Sequence, residues 1–169
     1  MHRTFLTALL CAFANFAFAA DEAVEKDTGA QLDAPKSRWL IQTSVYADHF
    51  NTSTPHEKRL NLVGVEWWAS GNWLMGAAAF RNSFDQPSQY VYIGKLWRPW
   101  DSLPLVHVKL TGGLLHGYKD QYKDRVPLNN ESHIAPLILP SIGLSGNRFT
   151  TDLVFFGQGA LVTVGVLVP

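Results

Sequence analysis

From Arg38 onward apolar and polar side chains alternate in short runs, the period-two pattern of strands with two unlike faces. Val106, Val108 and Leu110 share one face of such a run, and His107, Lys109 and Thr111 share the other. Between Ala160 and Val168 one face is Ala160, Val162, Val164, Val166 and Val168, leaving Leu161, Thr163, Gly165 and Leu167 opposite. Turn chemistry separates the runs at Ser70-Gly71-Asn72, Gly146-Asn147 and Gly157-Gln158-Gly159. The pattern predicts strands near 38–50, 58–69, 72–84, 88–99, 104–117, 133–145, 147–157 and 159–168. Long polar stretches, Asn51 to Glu57 and Tyr118 to Glu131, alternate with the short turns.

That asymmetry, and segments of about ten residues, suit an all-β fold: an eight-stranded antiparallel up-and-down β-barrel of the outer membrane. The first residues agree. Arg3, an apolar run from Phe5 to Phe18, and Ala17-Phe18-Ala19 form a secretory signal over 1–19. Residues 20–37 are charged and small, a loose N-terminal periplasmic segment with at most a short amphipathic helix, and 38–169 form the barrel domain. No apolar run is long enough for a spanning helix.

Loss of residues 1–19 removes Cys11, the one cysteine, and with it thiol chemistry. Charge is balanced at 14 Lys+Arg and 14 Asp+Glu; without Arg3 it becomes 13 − 14 = −1, which gives nucleic acid no basic field to bind. No histidine pair has metal-ligand spacing, so no metal and no cofactor is expected. His107 on the lumen face, near Lys109 and Glu66, suits a buried ion network. Trp67, Trp68, Trp73, Trp97 and Trp100 fall at strand ends and suit an aromatic girdle.

The run Gly71 to Phe84 ends a strand of small and apolar residues on Arg81, Asn82 and Ser83. A hydroxyl at a lipid–water boundary suits acyl transfer if a histidine takes its proton, and His49 ends the first strand. Asn82 is placed to support an oxyanion, and Arg81 to meet a lipid phosphate or to snorkel. Gly76 and Ala78 leave volume within an interior that is partly apolar, as for a barrel holding a hydrocarbon chain, though the same residues suit strand packing or curvature.

GNW at 71–73, AFRNSF at 79–84, WRP at 97–99, KLTGGLL at 109–115 and APLILPSIGL at 135–144 stand in the order and spacing of a known family. Over about Tyr46 to Gly165 the chain resembles the lipid A palmitoyltransferases (PagP) of the outer membrane. The resemblance implies an interior pocket for a palmitoyl chain, a phospholipid donor, a lipid A acceptor, and catalysis by a histidine ending the first strand with an aspartate-serine pair ending the third. Ser83 matches that serine, and Tyr92 or Gly94 falls at the pocket floor. Asn82 stands where the family has aspartate, and an ungapped match puts the histidine on Ala47, two residues before His49 and on the same strand parity. Of the family's proline-marked lateral openings, Pro136 and Pro140 fit one.

The resulting expectation is a monomeric, membrane-embedded acyltransferase in the cell outer membrane, with His49, Ser83 and Asn82 catalytic and Arg81, Gly76, Ala78 and Gly94 binding substrate. Two alternatives use the same residues differently. One is a lipid A deacylase or phospholipase; the other is a non-catalytic small barrel, either a pore or a surface binding protein.

Overall fold

The computed structural model describes residues 37–50, 61–157 and 159–169, with the His49 side chain outside the described set. The signal sequence and the N-terminal segment expected over 1–37 therefore lie, except for Ser37, outside the described residues. Eight strands follow one another: β1 (Arg38–His49), β2 (Val63–Trp68), β3 (Trp73–Arg81), β4 (Pro87–Trp97), β5 (Val106–His116), β6 (Ile134–Ser145), β7 (Phe149–Phe156) and β8 (Gly159–Val168). Each pairs antiparallel with its sequence neighbour, and β1 pairs β8, so the sheet closes into a barrel.

The strands form where alternation places them, because each must meet two solvents at once. Ile41, Val63, Val65, Ile93, Leu110, Leu114, Ile138, Ile142, Leu153 and Val166 are exposed on the outside, while Gln42, Glu66, His107, Lys109, Thr111, Asp152 and Thr163 are buried within. Such an inside-out distribution is that of an outer-membrane barrel, in which lipid solvates the exterior. Connections at 69–72, 98–105 and 146–148 share one end with the outer limits of β1 and β8; those at 50–62, 82–86, 117–133 and 157–158 share the other, which therefore holds the two longest. By that asymmetry the first end is periplasmic and the second external.

One detail departs from strict alternation and one from the expected girdle. The β1–β8 register shifts between Ser44 and Tyr46, so Ile41 and Thr43 face lipid whereas Ala47 is buried. The shared face expected for Ile41, Thr43, Val45, Ala47 and His49 is therefore divided by a bulge, whose extra residue turns the later side chains to the opposite side. Trp68 also leaves the expected girdle. It points inward, its ring 6.0 Å from His107 and 5.7 Å from the Lys109 ammonium, while Trp39, Trp73, Trp97 and Trp100 remain exposed at the periplasmic end.

Candidate functional site

Below its middle the lumen is crossed by charge. Glu66 on β2 accepts from Tyr92 (2.9 Å) and Gln42 (3.2 Å) at Oε1 and from the Trp68 indole (2.7 Å) at Oε2. Lys109 Nζ lies 3.3 Å from Glu66 Oε2 and 3.2 Å from Asp152 Oδ2, and His107 Nε2 lies 2.8 Å from Asp152 Oδ1. All but the half-buried Trp68 are buried, and the cation bridges two carboxylates that would otherwise lack compensation. The ion network expected from His107, Lys109 and Glu66 thus exists. Its second acid, Asp152, was legible only as a lone charge on the inner parity of β7. A plug of this kind across the narrow section of an eight-stranded barrel opposes passage of solutes.

Above the plug the inner wall turns apolar. Ala47, Leu62, Ala78 and Leu161 pack together with Phe80, Val154 and Phe156, and Tyr90 and Leu115 join Leu137, Tyr118 and Val126. Ala78 sits in this wall as expected. Gly76 does not open the volume assigned to it, since a Cβ there would fall 2.5 Å from Tyr92 Cζ; at Gly94, expected at the pocket floor, a Cβ would fall 2.5 Å from the Leu110 carbonyl. The missing side chain at Gly76 makes room for the Tyr92 ring that bonds Glu66, and that at Gly94 permits close strand approach.

The wall is interrupted beside β6. Its ladder to β7 runs from Ser145↔Thr150 to Ser141↔Val154 and stops, whereas its ladder to β5 continues to Ile134. Ile134 to Pro140 therefore have no β7 partner, and Pro136 and Pro140 lack the N–H a ladder needs. The opening lies in the external half, where both prolines are exposed toward lipid. This is the region in which Pro136 and Pro140 were expected to mark a lateral opening.

Ser83 lies at the external rim, in the β3–β4 turn, half-buried. The backbone of His49 pairs Gly159 at the external end of β1, the same rim. Asn82 is 1% exposed and its side chain serves the turn. Its Oδ1 accepts from the N–H groups of Phe84 (2.9 Å) and Gln86 (3.1 Å), and its Nδ2 donates to Ser88 Oγ (3.1 Å). An asparagine here is a turn cap, with its oxygen doing what an aspartate oxygen does in an Asx turn. Arg81 is exposed, 3.1 Å from Asp85, and also donates to the Asp85 carbonyl. The turn is docked onto the β5–β6 loop: Gln86 accepts from the Lys119 N–H at 3.1 Å, and the Phe84 and Tyr122 rings stack at 3.9 Å. Burial pushes the Tyr118 hydroxyl above its ordinary range in the same loop. No group of three or more His, Cys, Asp or Glu side chains that could hold a metal occurs among the described residues.

No protein-family profile matches the chain. No curated protein matches it either. Among solved structures it is similar to Ail, the attachment invasion locus protein of Yersinia pestis: 13% identity over 78% of this chain and 93% of that one, TM-score 0.38, in the crystal structure. The backbone structure of the same protein in a phospholipid nanodisc gives 15% identity, 78% and 98% coverage, and TM-score 0.38. Similarity at this level says nothing of ligand or activity.

Proposed function

We propose that the protein is a non-catalytic, lipid-binding barrel of the outer membrane, which holds an acyl chain of a neighbouring lipid at the gap between β6 and β7. The observation that carries this reading is the ladder that stops at Ser141↔Val154 in front of an apolar upper wall. The buried plug of Glu66, Lys109 and Asp152 weighs against the pore alternative. Lipid extracted from the detergent-purified barrel and identified by mass spectrometry tests it, with a Leu139→Cys/Phe156→Cys variant cross-linked across the gap. Stoichiometric lipid in the wild type and its loss on cross-linking are expected; equal lipid content in both would overturn the reading.

Acyl transfer from a phospholipid to lipid A is the second reading, favoured by the placement of Ser83 and of the His49 backbone at one external rim. In it the histidine accepts a proton and the serine attacks or polarises the acyl carbonyl. Mass spectrometry of lipid A from a host expressing the wild type separates the two. An added chain that disappears in Ser83→Ala establishes transfer and a lost chain establishes deacylation, whereas unchanged lipid A leaves binding without chemistry.

A further inference from the structure

At the periplasmic end, remote from both the gap and Ser83, the lumen mouth opens into a cavity of about 270 Å³. Its floor is Leu74 and Leu167, both buried, and Trp68 and Trp73 form part of its wall. Two guanidinium groups stand over it, Arg38 from β1 and Arg98 from the chain just after β4.

These arginines lean on one turn. Arg38 Nη1 donates to the carbonyl of Asn147 (3.4 Å), in the turn that follows β6, and Arg98 Nη2 to Oγ of Ser145 (2.9 Å), the last residue of β6. Both partners are neutral. Among the described residues no carboxylate lies within ion-pair distance of either arginine. Two like charges lining one cavity without a counterion repel, and a shared anion reverses the sign of that interaction.

We infer that the periplasmic mouth is an anion site for a phosphate ester, whose phosphate bridges Arg38 and Arg98 while its apolar part rests on Leu74, Leu167 and the tryptophan rings. The guanidinium fork suits a phosphate through paired N–H donors, and the leucine floor favours an ester over the bare ion. The phosphate belongs either to a free small ester or to a phospholipid headgroup, and the two sources separate by experiment.

The full-length barrel, folded in uncharged detergent, is titrated calorimetrically with inorganic phosphate and with butyl phosphate. Saturable binding of both is expected, butyl phosphate the tighter, with Arg38→Gln and Arg98→Gln each weakening it at least tenfold. Arg98→Lys, which keeps the charge and loses the fork, should weaken it less, and heat-modifiable migration reports that each variant is folded. Should Arg98→Gln fail to fold, Arg98→Lys and Arg38→Gln carry the comparison. In nanodiscs of zwitterionic lipid, adding phosphatidylglycerol abolishes butyl phosphate binding if the headgroup occupies the site, and leaves it intact if a free ester does. Absence of saturable binding by either probe, or equal affinity in the folded Arg38→Gln/Arg98→Gln double variant, overturns the assignment.

Discussion

The two halves of the lumen are built from the same strands and solve opposite problems. In the periplasmic half a lysine, two carboxylates and a histidine are buried together, so each charge needs the others. In the external half alanine, leucine and phenylalanine line the wall, and the β6–β7 ladder is left incomplete beside it. A closed ring of hydrogen bonds with a charged plug is a rigid base. An apolar wall beside an incomplete ladder leaves backbone groups of β6 unpaired with β7, and it is there that the proposed lipid chain would rest. The difference teaches that inward parity alone says little about a residue's role: Lys109 and Ala78 both point inward, and only their partners separate scaffold from candidate surface.

The comparison breaks most violently at Lys109. Replacing it with methionine leaves Glu66 and Asp152 buried without their cation, and removing one member of a buried charge set typically costs about 3–5 kcal/mol. Urea unfolding of the barrel in lipid vesicles should show a loss of that size for Lys109→Met. Adding Glu66→Gln and Asp152→Asn should recover most of it, because no uncompensated charge then remains. A single variant as stable as wild type would mean that water already solvates the network and that the plug is not closed.

A second, smaller break lies at the boundary between the halves. Gly76→Leu must displace the Tyr92 ring, which holds Glu66, and overpacking of this kind costs about 1–3 kcal/mol. Gly112→Ala is the control, since a Cβ there meets nothing within 4 Å. If Gly76→Leu were as mild as Gly112→Ala in the same unfolding assay, the ring would not be the reason for the glycine.

Much of this architecture was legible because strand parity is enforced by two different solvents. Every predicted strand exists, and the polar face of β5 with His107 and Lys109 is where alternation places it. The parts that were not legible depend on tertiary partners. The bulge between Ser44 and Tyr46 changes the face of Ala47, yet no glycine or turn residue announces it. Trp68 resembles its girdle neighbours in sequence, yet it shares the inward parity of Glu66, which accepts its indole N–H at 2.7 Å. Gly76 looks like empty volume until the ring across the β3–β4 ladder is seen to fill it. At the rim, an asparagine in the place of the family's aspartate suggests an oxyanion support, whereas its bonds serve the turn.

That cap supplies the finest test of the contrast between scaffold and surface. Asn82→Ala removes the acceptor for two backbone N–H groups and the donor to Ser88, in a site 1% exposed. Stranding buried donors costs about 1–3 kcal/mol, and access of water at a rim turn favours the lower part of that range. Asn82→Asp keeps both N–H acceptors and loses only the donation to Ser88, so its cost should be the smaller of the two, with Ser88 able to turn its own hydroxyl toward the carboxylate. The unfolding midpoints should therefore rank wild type, Asn82→Asp, Asn82→Ala. Lipid A from the same hosts adds an independent axis. If Asn82→Asp introduces an acyl transfer that the wild type lacks, the rim holds the remaining parts of a catalytic site and asparagine has silenced it; if lipid A stays unchanged while the stability ranking holds, position 82 belongs to the scaffold alone.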